Sequence, residues 1–186
     1  MQQDRKRWNE KYRESDAVPE AAATVRRFAR LASGGRALDL AAGLGGNTRF
    51  LAGLGFTVDA VDISDAAVTR LSALDHPAVQ PIQADLDDFP LPRERYQLVC
   101  TIHFLDRSLF GPIQAALAPG GLLLYETHLL TDQEVAGPKD PAYRLQPNEL
   151  LAAFSGLRTV YYREGLRTHR TLGRLCLATL VGFKDD

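Results

Sequence analysis

The sequence predicts an α/β protein with a doubly wound sheet of seven strands, mostly parallel, in which the last strand is antiparallel. Short apolar runs alternate with helical patterns from residue 36 to residue 127, which is typical of a parallel sheet with helices on both faces. Two more apolar runs follow without a helix between them, and about ten polar residues join them, too few for a crossover between parallel strands. These two runs should therefore pair antiparallel.

The predicted elements follow from local patterns. Strands are expected at residues 37–42, 57–63, 79–84, 98–104, 122–127, 157–163 and 175–183, where apolar runs are short. Helices are expected around Trp8 and Tyr12, after Pro19, after Asn47, after the N-cap Ser64, and over residues 113–117 and 147–154. A loop rich in proline and glycine should cover residues 131–146.

Length and charge limit the possible classes of protein. With 186 residues, we expect one domain over residues 1–186, made of a helical segment (1–35) and an α/β core (36–186). The net charge of −1 argues against a constitutive nucleic-acid binder.

No apolar run approaches the ~20 residues of a membrane helix, and Cys100 and Cys176 lie in apolar runs typical of the core. A soluble cytoplasmic protein is expected.

Small residues follow the first predicted strand. In Asp39-Leu40-Ala41-Ala42-Gly43-Leu44-Gly45-Gly46-Asn47 the strand turns into a helix, and glycines there let the backbone approach a ligand closely. The helix N-terminus offers amide donors to a carboxylate or phosphate. The alternative is a tight turn that binds nothing.

Acidic residues end the next two strands. Asp62 lies nineteen residues after Gly43, an offset at which a carboxylate can accept hydrogen bonds from both ribose hydroxyls of a nucleoside. The alternative for Asp62 is to stabilise the following helix. Asp85 could accept a hydrogen bond from an adenine amino group, with the backbone of Leu86 beside the ring, although Asp87 and Asp88 are also typical of a simple acidic turn.

A dinucleotide site is less consistent with these residues. Counting from Gly43, the third glycine of the dinucleotide fingerprint should fall at position 48, which is Thr48. One reversed strand also stands where a second nucleotide-binding half would be expected.

Taken together, these motifs resemble the class I S-adenosylmethionine-dependent methyltransferases, with a Rossmann-like fold. Residues 39–46 look like the first motif of that family, and Leu117-Ala118-Pro119-Gly120-Gly121-Leu122 looks like its turn into the fifth strand. Ala41 departs from the family, which often has glycine there, and should keep a negative φ angle. The start, Trp8-Asn9-Glu10-Lys11-Tyr12, is similar to the small bacterial tellurite-resistance-like branch.

The resemblance implies S-adenosylmethionine as cofactor and a set of residues for each part of the site. The cofactor-binding residues would be Asp39, Ala41, Gly43, Gly45, Asp62, Ile63, Asp85, Leu86 and Thr101. His103, at the end of the fourth strand, would lie where the methyl group emerges and act as a base or shape the rim. Trp8 and Tyr12 would form a lid, and His128, with Tyr125 and Glu126, would face the acceptor; no metal is expected.

The acceptor is expected to be a small molecule. Cys100 and Cys176 do not suit covalent methylation of a pyrimidine, and Thr101-Ile102-His103-Phe104 differs from the motif of amino-directed nucleic-acid enzymes. Arginines near residues 158–174 would either dock an acidic group or be solvated. The alternative function is a non-catalytic module that binds the cofactor.

Asp62 is the residue on which the cofactor hypothesis most depends. Because a strand-end acid that faces a pocket supports no core, its loss should weaken cofactor binding and leave the stability of the ligand-free protein nearly unchanged.

Overall fold

The described strands form one mixed sheet of seven strands. The computed structural model describes residues 2–15 and 19–185. The strands are β1 (Arg36–Leu40), β2 (Thr57–Asp62), β3 (Val79–Gln83), β4 (Tyr96–Ile102), β5 (Leu117–His128), β6 (Leu157–His169) and β7 (Gly173–Lys184). The α-helices are α1 (Gln2–Arg13), α2 (Ala23–Phe28), α3 (Gly46–Gly53), α4 (Asp65–Ser72), α5 (Phe110–Ala116) and α6 (Glu149–Ala153).

The strand order is β3-β2-β1-β4-β5-β7-β6. Strands β1 to β5 pair in parallel, and β7 pairs antiparallel with both β5 and β6, which confirms the predicted fold. The order reverses between β1 and β4. In sheets of this kind, ligands bind outside the carboxyl ends of the strands at such a reversal.

Helices cover both faces of the sheet, so the central strands are buried on both sides. Leu38, Val99 and Leu123 belong to the core on one face, with α5 and α6. Ala37, Leu98 and Leu122 belong to the core on the other face, with α2 and α3. This double burial explains why the strands read as continuous apolar runs rather than as alternating patterns.

The last three strands are longer than predicted. Strand β5 begins at Leu117 rather than at residue 122, and the hairpin of β6 and β7 continues to His169 and Gly173, so that only residues 170–172 form its turn. Most of β6 is exposed or half-buried. Its outer part therefore carries polar residues that resemble a loop, although their backbone is paired with β7 along the whole arm.

The helix bounds also differ from the predicted ones by a few residues. The helix predicted over residues 113–117 is Phe110–Ala116, and the one predicted over 147–154 is Glu149–Ala153. Ser64 is the N-cap of α4, as predicted, because its hydroxyl accepts a hydrogen bond from the Ala67 amide. None of the described helices is long and apolar enough to cross a membrane.

Candidate functional site

The glycine loop connects β1 to α3 at the reversal of strand order. Gly43 and Gly45 have φ angles of +54° and +80°, a region that glycine adopts without strain. A Cβ atom on Gly43 would lie 3.0 Å from the hydroxyl of Tyr12. Glycine at position 43 is therefore required both by the backbone and by the close approach of the N-terminal helix.

Ala41 does not keep the negative φ angle expected from the sequence. Its φ is +54°, so the expectation was wrong and an L-residue occupies the left-handed region here. Such a conformation costs of order 1 kcal/mol or more unless the surroundings impose it. The next residue is held in place because the Ala42 amide donates a hydrogen bond to the carbonyl of Val61 on β2.

Asp62 connects the glycine loop to the end of β2. Its Oδ2 accepts a hydrogen bond from the Gly43 amide at 2.8 Å, and its Oδ1 accepts one from the Ser64 amide at 2.9 Å. The residue is only 4% exposed. Burial raises the pKa of Asp62, while the amides that donate to it act in the opposite direction. Each oxygen keeps a lone pair for a further donor, such as a ribose hydroxyl.

Asp39 lies beneath the same loop. It is 1% exposed, and its oxygens accept hydrogen bonds from the Thr48 hydroxyl at 2.6 Å and the Cys100 thiol at 3.6 Å. Burial raises the pKa of Asp39 to about 6. Thr48, which stands where a dinucleotide fingerprint would have glycine, thus binds the buried carboxylate from the first turn of α3.

The N-terminal helix α1 lies against α4 and reaches the glycine loop. The side-chain amide of Asn9 donates a hydrogen bond to Asp65, and its oxygen accepts one from the Ser64 hydroxyl. Arg5 forms an ion pair with Asp65. These contacts place Tyr12 beside Gly43, with the Trp8 ring stacked on it at 5.3 Å between centroids.

Asn9→Ala is expected to release α1 from α4 and to weaken cofactor binding several-fold, since Asn9 anchors the helix that carries Tyr12. The exposed Lys6→Ala on the same helix should leave affinity unchanged. Calorimetric titration with S-adenosylhomocysteine would measure both variants. Equal affinity of the Asn9 variant and the wild type would show that α1 is ordinary packing and not a lid.

Asp85 and Leu86 follow β3 but differ from each other in surroundings. Oδ1 of Asp85 accepts a hydrogen bond from the Asp87 amide, and its carbonyl accepts one from the Asp88 amide, as in an acidic turn. Leu86 is buried in the core with β1 and β4. Ile63, which follows Asp62 directly, is half-buried.

The predicted acceptor residues meet where β4 and β5 end. His103 follows β4 with a φ of +58°, and its amide donates a hydrogen bond to the Glu126 carbonyl at 2.7 Å. The rings of His103 and His128 are 5.2 Å apart between centroids. The hydroxyl of Thr101 and Nδ1 of His128 are buried without a partner among the described residues.

The two histidines favour the neutral imidazole. Although His103 as a residue is exposed, its ring packs against His128, and loss of hydration is the main cause that lowers the pKa of His103. Burial, together with the proximity of His103 and the charge of Arg144, lowers the pKa of His128 to about 4. Both rings are therefore unprotonated near neutral pH and can accept a proton or a hydrogen bond.

The sequence does not predict most of the network around Glu126. Glu126 was expected near the acceptor, but its partners are Thr24, Arg167 and Thr179, which are far apart in the sequence. Arg167 is consequently an ion-pair partner rather than a solvated residue of the hairpin. The available signal was a glutamate inside the apolar run 122–127, since buried charges are almost always paired.

The solved structures that are similar in fold include the following three. TehB from Haemophilus influenzae is 20% identical, with 97% of this chain and 67% of that chain covered and a TM-score of 0.77. A SAM-dependent methyltransferase from Aquifex aeolicus is 15% identical over 94% and 97%, with a TM-score of 0.67. Phosphoethanolamine N-methyltransferase 2 from Haemonchus contortus, in complex with S-adenosyl-L-methionine, is 15% identical over 96% and 56%, with a TM-score of 0.69.

These likenesses agree with the predicted fold, and identities this low show the fold alone. No curated protein sequence matches the chain. A model of the methyltransferase domain family matches residues 10–168, most of the chain. The chain therefore belongs to the methyltransferase domain family.

Proposed function

We propose that this protein is an S-adenosylmethionine-dependent methyltransferase that acts on a small-molecule acceptor. The observation that carries the proposal is the pairing of Asp62 with the Gly43 amide at the reversal of strand order. It places a carboxylate with free lone pairs beside a glycine backbone. The carboxylate can accept hydrogen bonds from a ribose, and the glycine backbone lets the methionine part of the cofactor lie close to the loop. The matching family model supports the same activity.

The residues around the loop fit this cofactor. Asp62 would accept hydrogen bonds from the ribose hydroxyls, and Asp39 would stabilise the methionine ammonium from beneath the loop. Gly43 and Gly45 would keep the backbone close to the methionine part, and Asp85 with Leu86 would hold the adenine. When bound, the cofactor supplies a methyl group that is already electrophilic, so the protein mainly has to position the acceptor and exclude water.

The acceptor would lie between α1 and the ends of β4 and β5. Tyr12 and Trp8 would cover this space, and Thr101 would line it at the end of β4. The neutral His103 would accept a proton from an oxygen or nitrogen nucleophile, a step that an anionic thiolate would not require. Any activity that depends on His103 should therefore be lost as the pH falls through its lowered pKa.

Binding and turnover together test the proposal. Calorimetry should show binding of S-adenosylmethionine, and a pool of small metabolites should release S-adenosylhomocysteine. If neither cofactor form binds, the proposal fails. If the cofactor binds tightly and no acceptor in the pool is methylated, the protein is instead a binding module that senses the cofactor. A cytoplasmic location stays a prediction.

A further inference from the structure

One oxygen of the buried Glu126 carboxylate accepts all the hydrogen bonds that this side chain receives from the described residues. Oε2 accepts from the Thr24 hydroxyl at 2.6 Å, from Nη1 of Arg167 at 2.7 Å and from the Thr179 hydroxyl at 2.6 Å. The three donors come from α2, β6 and β7. Glu126 thus joins the N-terminal segment and the C-terminal hairpin to the end of β5.

The other oxygen, Oε1, has no donor among the described residues. The side chain is only 7% exposed, so Oε1 has little contact with bulk water. A buried carboxylate oxygen ordinarily receives hydrogen bonds. An oxygen left open in an otherwise paired buried side chain needs a donor beyond the described residues.

The position of Glu126 places that oxygen beside the proposed acceptor site. Glu126 is the neighbour of Ile102 in the sheet, and its carbonyl holds the amide of His103. Its negative charge acts on the imidazoles of both His103 and His128. The Glu126 carboxylate is therefore close to the space beside these two histidines, at the ends of β4 and β5.

We propose that Oε1 of Glu126 binds a hydrogen-bond donor of the methyl acceptor. This inference rests on the proposed function and narrows its substrate class to molecules that carry a hydroxyl, thiol or amine hydrogen next to the methyl-accepting atom. Because Arg167 already neutralises Glu126, and because Lys11 acts on the neighbouring His103, a neutral donor fits better than a cation.

Glu126→Gln distinguishes binding of the acceptor by Oε1 from the hydrogen bonds by which Oε2 joins α2, β6 and β7 to β5. Arg167 can only donate hydrogen bonds, so the glutamine oxygen must occupy the position of Oε2. The amide nitrogen then takes the position of Oε1 and presents a donor where the carboxylate presented an acceptor. The substitution preserves the three internal hydrogen bonds and replaces the acceptor atom Oε1 by a donor.

Matched probe pairs measure the effect without knowledge of the natural acceptor. The pairs are catechol with 1,2-dimethoxybenzene, and 1,3-propanediol with 1,3-dimethoxypropane, titrated by saturation-transfer NMR into protein saturated with S-adenosylhomocysteine. The wild type should bind each hydroxyl compound about tenfold more tightly than its ether, as one hydrogen bond to a charged group implies. Glu126→Gln should reduce this ratio to about two or less.

Thr179→Val is the control, because it removes a donor to Oε2 and leaves Oε1 as it is. It should lower the melting temperature and keep the hydroxyl-to-ether ratio of the wild type. Equal affinities of the wild type for both members of each pair, or no binding of either, would overturn the inference, as would a loss of discrimination in Thr179→Val equal to that in Glu126→Gln. Failure of S-adenosylhomocysteine to bind would overturn the proposed function itself.

Discussion

Asp62→Ala is expected to lower both the affinity for the cofactor and the stability of the ligand-free protein. The carboxylate accepts hydrogen bonds from the amides of Gly43 and Ser64, and the alanine variant leaves both donors unpaired near the core. Hydrogen bonds to a charged group contribute about 1.5 to 3 kcal/mol each, and the cost of burying the carboxylate, which raises its pKa, offsets part of their sum, so a loss of unfolding free energy of about 2 to 4 kcal/mol is expected. Cofactor affinity should fall at least about tenfold.

Asp62→Asn should show an intermediate effect. Asparagine has a single oxygen, so it can accept from one of the two amides while its own amide group faces the other. Urea denaturation without ligand and calorimetry with S-adenosylhomocysteine would measure the two quantities, with the exposed Asp88→Ala as control. Unchanged affinity in both Asp62 variants would remove this residue from the cofactor site.

This expectation differs from the one that the sequence alone allowed. The sequence predicted that an acid at a strand end serves a ligand without supporting the fold. In the structure Asp62 also holds the amide of the N-cap residue Ser64 and so supports the start of α4. The two roles considered as alternatives for Asp62 are thus compatible.

The fold could be predicted because burial leaves a direct mark on the sequence. The central strands are buried on both faces, so Leu122, Leu123 and Leu124 form a continuous run that is easy to recognise. The ends of the sheet carry no such mark. The outer arm of β6 is held by backbone hydrogen bonds to β7. Such hydrogen bonds form whether the side chains are polar or apolar. Residues 164–169 are polar enough to be predicted as a loop, although they are paired.

The candidate site was predictable where it depends on one segment and not where it depends on several. The glycine loop and Asp62 lie within one strand-helix-strand unit, so their spacing carries the information. The partners of Glu126 lie 102, 41 and 53 residues away along the chain. Only the strand order brings β5 next to β7, and no local pattern records that Thr24 reaches them from α2.

Asp39→Asn is expected to stabilise the protein above pH 6 and to weaken cofactor binding. Burial raises the pKa of Asp39 to about 6, above the value of about 3.9 for an unfolded chain. The folded state therefore binds a proton more readily between pH 4 and 6, so the contribution of Asp39 to stability falls as the pH rises through this window and stays low above it. Asparagine does not titrate and avoids this loss.

The measurement is the free energy of unfolding of the variant minus that of the wild type, from urea denaturation at pH 4 and pH 8. Asparagine can still accept the hydrogen bond of Thr48, so the difference should move in favour of the variant by on the order of 2 kcal/mol between the two pH values. The exposed Asp88→Asn is the control for replacing a carboxyl group by an amide. A difference that is constant with pH would contradict the raised pKa of Asp39.

The same variant should bind S-adenosylmethionine about tenfold more weakly at pH 8, because a neutral amide cannot balance the methionine ammonium. A buried carboxylate that costs stability in the empty protein and gains a cationic partner on binding accounts for both effects. Stabilisation without loss of affinity would show that Asp39 serves only to hold Thr48. Loss of affinity without stabilisation would show that the hydrogen bonds from Thr48 and Cys100 fully offset the cost of burying the Asp39 carboxylate before the cofactor binds.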